Sequence, residues 1–110
     1  MSSAAESSAV IVLTTVGSDA DAAELARTLV EQRLVACVNI VAGVTSVYRW
    51  KDGVEQDEEQ LLVIKTTMDM LEALQARLRE LHPYELPEFV VIQVSGGSQA
   101  YLGWLCGSVG

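Results

Sequence analysis

The chain has 110 residues, enough for one domain and too few for two, and half of them are apolar, so it can bury a core. Seven basic residues against fifteen acidic ones give a formal charge of −8 with no Lys/Arg cluster, which makes nucleic acid and anionic membranes poor partners. No apolar run is longer than Ala9 to Leu13, which falls far short of the roughly 20 residues that cross a bilayer and follows no basic segment or cleavage site, so a soluble, cytoplasmic protein is expected.

Residues 1–8 are small and polar without periodicity and read as a disordered tail ahead of a single domain over 9–110. Residues 9–16 (AVIVLTTV) are β-branched and continuously apolar, as a central strand requires, and Gly17 ends them. Ser18 with Asp21 forms a capping-box pattern, after which Ala22, Leu25, Ala26 and Leu29 recur at helical spacing to about Arg33. Leu34 to Trp50 is one long strand with Gly43 as the position for a bulge or bend, and Lys51-Asp52-Gly53 turns it into a second strand over Val54–Thr67. Thr67 is placed to cap a helix whose Leu71, Leu74, Leu78 and Leu81 share a stripe, and His82-Pro83 stops it. After the stiff turn HPYELPE come a strand over Phe89–Ser95 and a short helix from about Ser98 to Cys106.

The order is βαββαβ plus a terminal helix, and right-handed crossovers turn it into an α+β, ferredoxin-like sandwich: a four-stranded antiparallel sheet with two helices on one face. A strand from 34 to 50 would run roughly 50 Å, against a diameter of about 35 Å for a compact domain of this size. The hairpin should therefore overhang, carrying Val44, Val47, Tyr48 and Trp50, and a second copy adding strand to strand is the expected cover for them. The alternative is that Gly43 bends the ribbon back over its own sheet.

Among candidate site residues, His82 is the only imidazole; it either caps the end of its helix or serves as a ligand for Cu²⁺ or another divalent cation. Cys37 is a buried small hydrophobe or a soft thiolate ligand beside it. Lys65 follows LLVI near a strand end, where its ammonium can meet a small anion at a cleft mouth. Of the acidic stretch Glu55, Asp57, Glu58 and Glu59, alternation lets at most two share one side, and Glu59 is the cleft candidate. Tyr84 and Tyr101 are packing anchors or walls of a ligand cleft. No nucleophile, base and orienting group can be named together and no phosphate loop appears, so no enzyme and no obligatory cofactor are expected.

The segments ACVNIVAGVTSVYRW (36–50), LLVIKTT (61–67), LHPYELPE (81–88) and YLGWL (101–105), in this order, resemble the CutA family of divalent-cation tolerance proteins. The resemblance covers nearly everything after residue 8. It implies the ferredoxin-like fold, a homotrimer in which long hairpins pair with neighbouring subunits, and a role in tolerance of copper and other divalent metals. A metal pattern ascribed to some members places a cysteine at the end of the first strand and a His-His pair at the proline turn; Thr14 and Leu81-His82 stand there in this chain. In trimeric architecture the family also resembles the PII signalling proteins, which implies ligand clefts between subunits and a signalling or assembly role as the alternative function.

Overall fold

A computed structural model describes residues 8–110 of the chain. Strand β1 (Ala9–Gly17) is central, as its composition requires, but its two faces differ: Val10, Val12, Thr14 and Val16 are buried, whereas Ile11, Leu13 and Thr15 are only half-buried. Of the tail expected over 1–8, residues 1–7 lie outside the described residues, and the Ser8 carbonyl accepts a hydrogen bond from the Met68 N–H at 2.8 Å.

Helix α1 (Ala22–Glu31) starts later than a Ser18 cap would set it. The Ala20 N–H donates to Gly17 O to close a turn, and Asp21 becomes the cap by accepting from the Glu24 N–H. It also stops two residues early, because Arg33 takes φ 59°. The Leu34 N–H then reaches Leu29 O and the Arg33 N–H reaches Val30 O, the paired bonds of a Schellman ending. Glycine usually occupies that left-handed position. Arg33 holds it because its guanidinium donates to Gly110 O at 2.7 Å and to Gly107 O at 3.3 Å, so that one side chain ties the first helix to the last.

Spending residues 33–36 on that corner delays strand β2 to Cys37–Trp50. Gly43 takes φ 74° where the register slips between Val41 and Val44, the bulge anticipated there. The turn needs two residues, Lys51 and Asp52, so β3 (Gly53–Thr67) begins with Gly53 opposite Trp50. β1 covers β3 only from Glu59 to Thr67, leaving Gly53–Glu58 paired with β2 alone. The ribbon thus overhangs rather than folding back, and the domain measures 49 × 25 × 23 Å.

Thr67 does not cap the following helix; its hydroxyl donates to Asp69 and a 3-10 turn (Met68–Met70) leads into α2 (Leu71–Leu81). β4 is shorter than its apolar pattern suggests, Val90–Gln93, and α3 (Gln99–Gly107) is capped by Ser98. The sheet is antiparallel in the order β2-β3-β1-β4. On one face α1 and α2 bury Leu29, Leu74 and Leu78 against Val12, Val16, Leu62 and Ile64, while α3 sets Leu102 and Leu105 on Ala9 and Ala36. Among the described residues α3 covers only the Ala9 end of the other face, and the rest of it is apolar and bare: Ile11, Leu13, Leu61 and Val63 are half-buried, Val90 and Ile92 exposed. Among the described residues no helix is long and apolar enough to cross a membrane.

Candidate functional site

The overhanging ribbon and the proline turn face each other across a cleft of about 870 Å³ at one end of the uncovered sheet face. Alternation fixes the ribbon side of it. Ser46, Tyr48 and Trp50 on β2 lie opposite Asp57, Glu55 and Gly53 on β3, so these residues share one side of the ribbon, and Glu59 continues that series at the cleft floor. Val47 and Val54, at 63% and 65% exposure, alternate to the other side. Of the interface set expected at Val44, Val47, Tyr48 and Trp50, the last three border the cleft, with Tyr48 and Trp50 on the side of Glu59.

The opposite wall is Pro83 to Val90, stiffened by two prolines and fastened at its root by His82. The imidazole is 7% exposed. Its Nε2 lies 2.7 Å from Thr15 O and its Nδ1 accepts the Tyr84 N–H at 3.1 Å, which selects the Nε2–H tautomer and engages both ring nitrogens. The ring also packs on Tyr84, centroids 4.8 Å apart. His82 accordingly ends its helix through its backbone N–H on Leu78 O and fixes the turn through its ring, standing behind the cleft rather than in it.

Glu59 is the best-buried polar group lining the cleft, at 6% exposure. Its Oε2 accepts the Tyr84 hydroxyl at 2.6 Å. Burial, and then that bond, hold the Tyr84 phenol well above its usual range, because the phenolate would lose both water and its acceptor. On the ribbon, Tyr48 donates to Asp57, a bond that pushes its phenol up to about 12. Gln60 donates to Gly17 O and Ala20 O, anchoring the loop beneath.

The remaining candidates gather elsewhere. Cys37 faces Lys65 across the β2-β3 ladder, and the Lys65 ammonium lies 3.3 Å from the Tyr101 hydroxyl and over its ring. Cys37 Sγ is directed at Asn39 Oδ1, 3.9 Å away. Thr15 pairs with Leu61, four residues before Lys65 on β3, so the two groups stand roughly 13 Å apart along the sheet. Cys37 and His82 are not brought together. Thr14 is fully buried with its hydroxyl unpartnered among the described residues, on the helix-facing side of β1. Among the described residues no three His, Cys, Asp or Glu converge as a metal cage would.

Tyr48 lines the cleft, and Asp57, expected in a solvated stretch, accepts its hydroxyl on the same side of the ribbon. The signal lies in the hairpin: a two-residue turn places 48 opposite 55 and 46 opposite 57, on the side of 59.

A profile of the family described as "CutA1 divalent ion tolerance protein" matches residues 10–108. The "Divalent-cation tolerance protein CutA" of Thermus thermophilus is 48% identical over 95 residues, covering 86% of this chain and 92% of that protein. "Protein CutA, chloroplastic" of Arabidopsis thaliana is 42% identical over 96 residues, 87% of this chain and 53% of that longer protein. Among solved structures, CutA1 of Oryza sativa superposes with a TM-score of 0.90 at 37% identity, covering 96% of this chain and 97% of that one.

Proposed function

The chain belongs to the CutA1 divalent ion tolerance family, and from that premise we propose that it works as a cytoplasmic homotrimer which takes up Cu²⁺ or another divalent cation weakly and reversibly and catalyses no reaction. The uncovered apolar sheet face, continuous with an overhanging ribbon, supports the assembly: a two-stranded ribbon alone in water is marginal, and a second copy removes its apolar side from solvent. Weak uptake follows from the donor set. Both His82 nitrogens are engaged, Cys37 stands at the far end of the sheet and Thr14 faces the core, so one chain does not fit a tightly held Cu²⁺. Donors for a passing cation then come from more than one copy, with His82, Cys37 and the carboxylates as the groups to test.

Native mass spectrometry during a Cu²⁺ titration tests this reading. A trimer that takes up metal in discrete steps at concentrations well above its own is expected. A trimer still metal-free at large excess removes the metal reading, and a monomer removes the assembly. His82→Ala locates the donor: lost uptake means the imidazole leaves Thr15 to meet the cation, and unchanged uptake places the donors elsewhere.

The cleft supports a second reading, a PII-like small-molecule signalling or assembly module. Its volume and aromatic walls suit an organic ligand. The small-anion form of that reading rests on Lys65, which stands with Tyr101 outside the cleft.

A further inference from the structure

Short of the overhang, the bare side of the sheet carries one acid and one base. Glu59 stands at the root of the ribbon and Lys65 near the end that α3 covers, and the other side chains that register places on that side, such as Ile11, Leu13, Leu61 and Val63, are uncharged. Six residues of β3 separate the two, roughly 20 Å at about 3.3 Å per residue, so they do not meet within one chain. Among the described residues the cleft over Glu59 is lined by no cation, and its other charged groups are Glu85 and Glu88. Lys51, the chain's other lysine, stands over the Trp50 ring, and Trp50 is six residues along β2 from Val44, the ladder partner of Glu59.

Each group is half of an ion pair. Glu59 is more than nine-tenths buried, and among the described residues only the Tyr84 hydroxyl bonds its carboxylate, through Oε2, which leaves Oε1 without a donor. Lys65 is half-buried between Ile11 on β1 and Cys37 on β2. Its ammonium meets the hydroxyl and the ring of Tyr101, and among the described residues no carboxylate lies within 4 Å of it. A lone chain keeps both groups in reach of water. A second copy laid on the apolar face takes that water away, and a charge buried without a partner costs far more than the same charge paired. On this face the opposite charge open to either group is its counterpart on the next copy, and a joint that sets different parts of the face together supplies it.

We propose that in the assembled protein the Lys65 ammonium of one copy enters the cleft of its neighbour and pairs with the Glu59 carboxylate at Oε1, so that the Glu59–Tyr84 site is complete only between two chains. The proposal rests on the assembly reading above and names the residue that the second copy contributes. In a three-membered ring each copy gives one ammonium and receives one, so this pair leaves no joint with an uncompensated charge.

Chains of normal and heavy-isotope composition, unfolded and refolded together, should yield under a carbodiimide a Lys65–Glu59 amide that joins a light peptide to a heavy one; with only two lysines in the chain, the product is readily assigned. That readout needs no variant and is independent of how a variant folds. Lys65→Met and Glu59→Gln, the second of which keeps an acceptor for Tyr84, should each raise about tenfold the protein concentration at which the trimer dissociates in mild denaturant. The double variant should hold together better than either, because no unpaired charge is left to bury. Losses that simply add, a Lys65 cross-link to Glu85 or Glu88 in place of Glu59, or an intact trimer without any cross-link from Lys65 would overturn the pairing and leave the assembly standing. A protein that is monomeric by light scattering would remove the pairing and the assembly together.

Discussion

At the scale of single residues, the most consequential bond is the one between Tyr84 and Glu59, since it ends on a buried carboxylate and joins the proline turn to the sheet. Tyr84→Phe should cost about 1 kcal/mol at neutral pH, less than a fully buried charged bond because the ring edge meets solvent. The penalty should also depend on pH. The folded phenol is held above the unfolded value near 10, so its stabilisation is complete below that pH and is lost as the pH rises from there through the folded value. Denaturant midpoints of the two proteins should therefore begin to converge above about pH 10, and a gap that stayed constant would show that the hydroxyl is not the group responsible. His82 teaches a related point. Its place before a proline is legible in the sequence, and so is its alternative as a cap, but neither the Thr15 carbonyl nor the Tyr84 N–H that occupy its ring is marked by periodicity or composition. Such partners emerge from the packing of the turn on β1.

At the scale of elements, periodicity places every strand and helix in its right order and fails at their ends. A capping box at Ser18 and an arginine at a helix end are ordinary signals, and they set α1 too early at its start and too late at its finish. Arg33 instead adopts a left-handed backbone for the sake of a contact 74 to 77 residues away, which no local pattern can announce. β4 errs for the opposite reason: FVVIQVS is apolar almost throughout, but β1 offers ladder partners only for Val90–Gln93, and the Val94 N–H on Ala9 O is the last bond between them. The Gly43 bulge is legible because a glycine that interrupts a β-branched run marks the point where the ladder breaks. A Cβ added there would meet nothing within 4 Å, so Gly43→Ala tests backbone conformation alone. It should lower stability by about 1 kcal/mol in thermal unfolding; an unchanged midpoint would mean the bulge migrates to a neighbour.

At the scale of the molecule, one face of the sheet carries α1 and α2, and the other is bare among the described residues beyond the end that α3 covers. A lysine on the bare face distinguishes an interface from an ordinary surface. Ile92→Lys changes an exposed side chain, so in a lone chain it should alter stability by no more than about 0.5 kcal/mol. In the proposed trimer it buries a charge, and light scattering after gel filtration should report dissociation. An assembly indifferent to that lysine would place the contact elsewhere.

The sheet ends on β2 at one side and on β4 at the other, and among the described residues neither strand has a ladder partner along its outer edge. A unit with two complementary edges is also a monomer for polymerisation: joined edge to edge, copies close into a ring only when the rotation per step divides a full turn, and otherwise grow without limit. The bulge at Gly43 adds twist to the strand that makes the joint. Beyond it Glu55, Asp57 and Glu58 give the ribbon like charges that discourage unwanted edge pairing. In the proposed trimer, the twist that a single glycine adds is part of what separates a closed particle from a fibre.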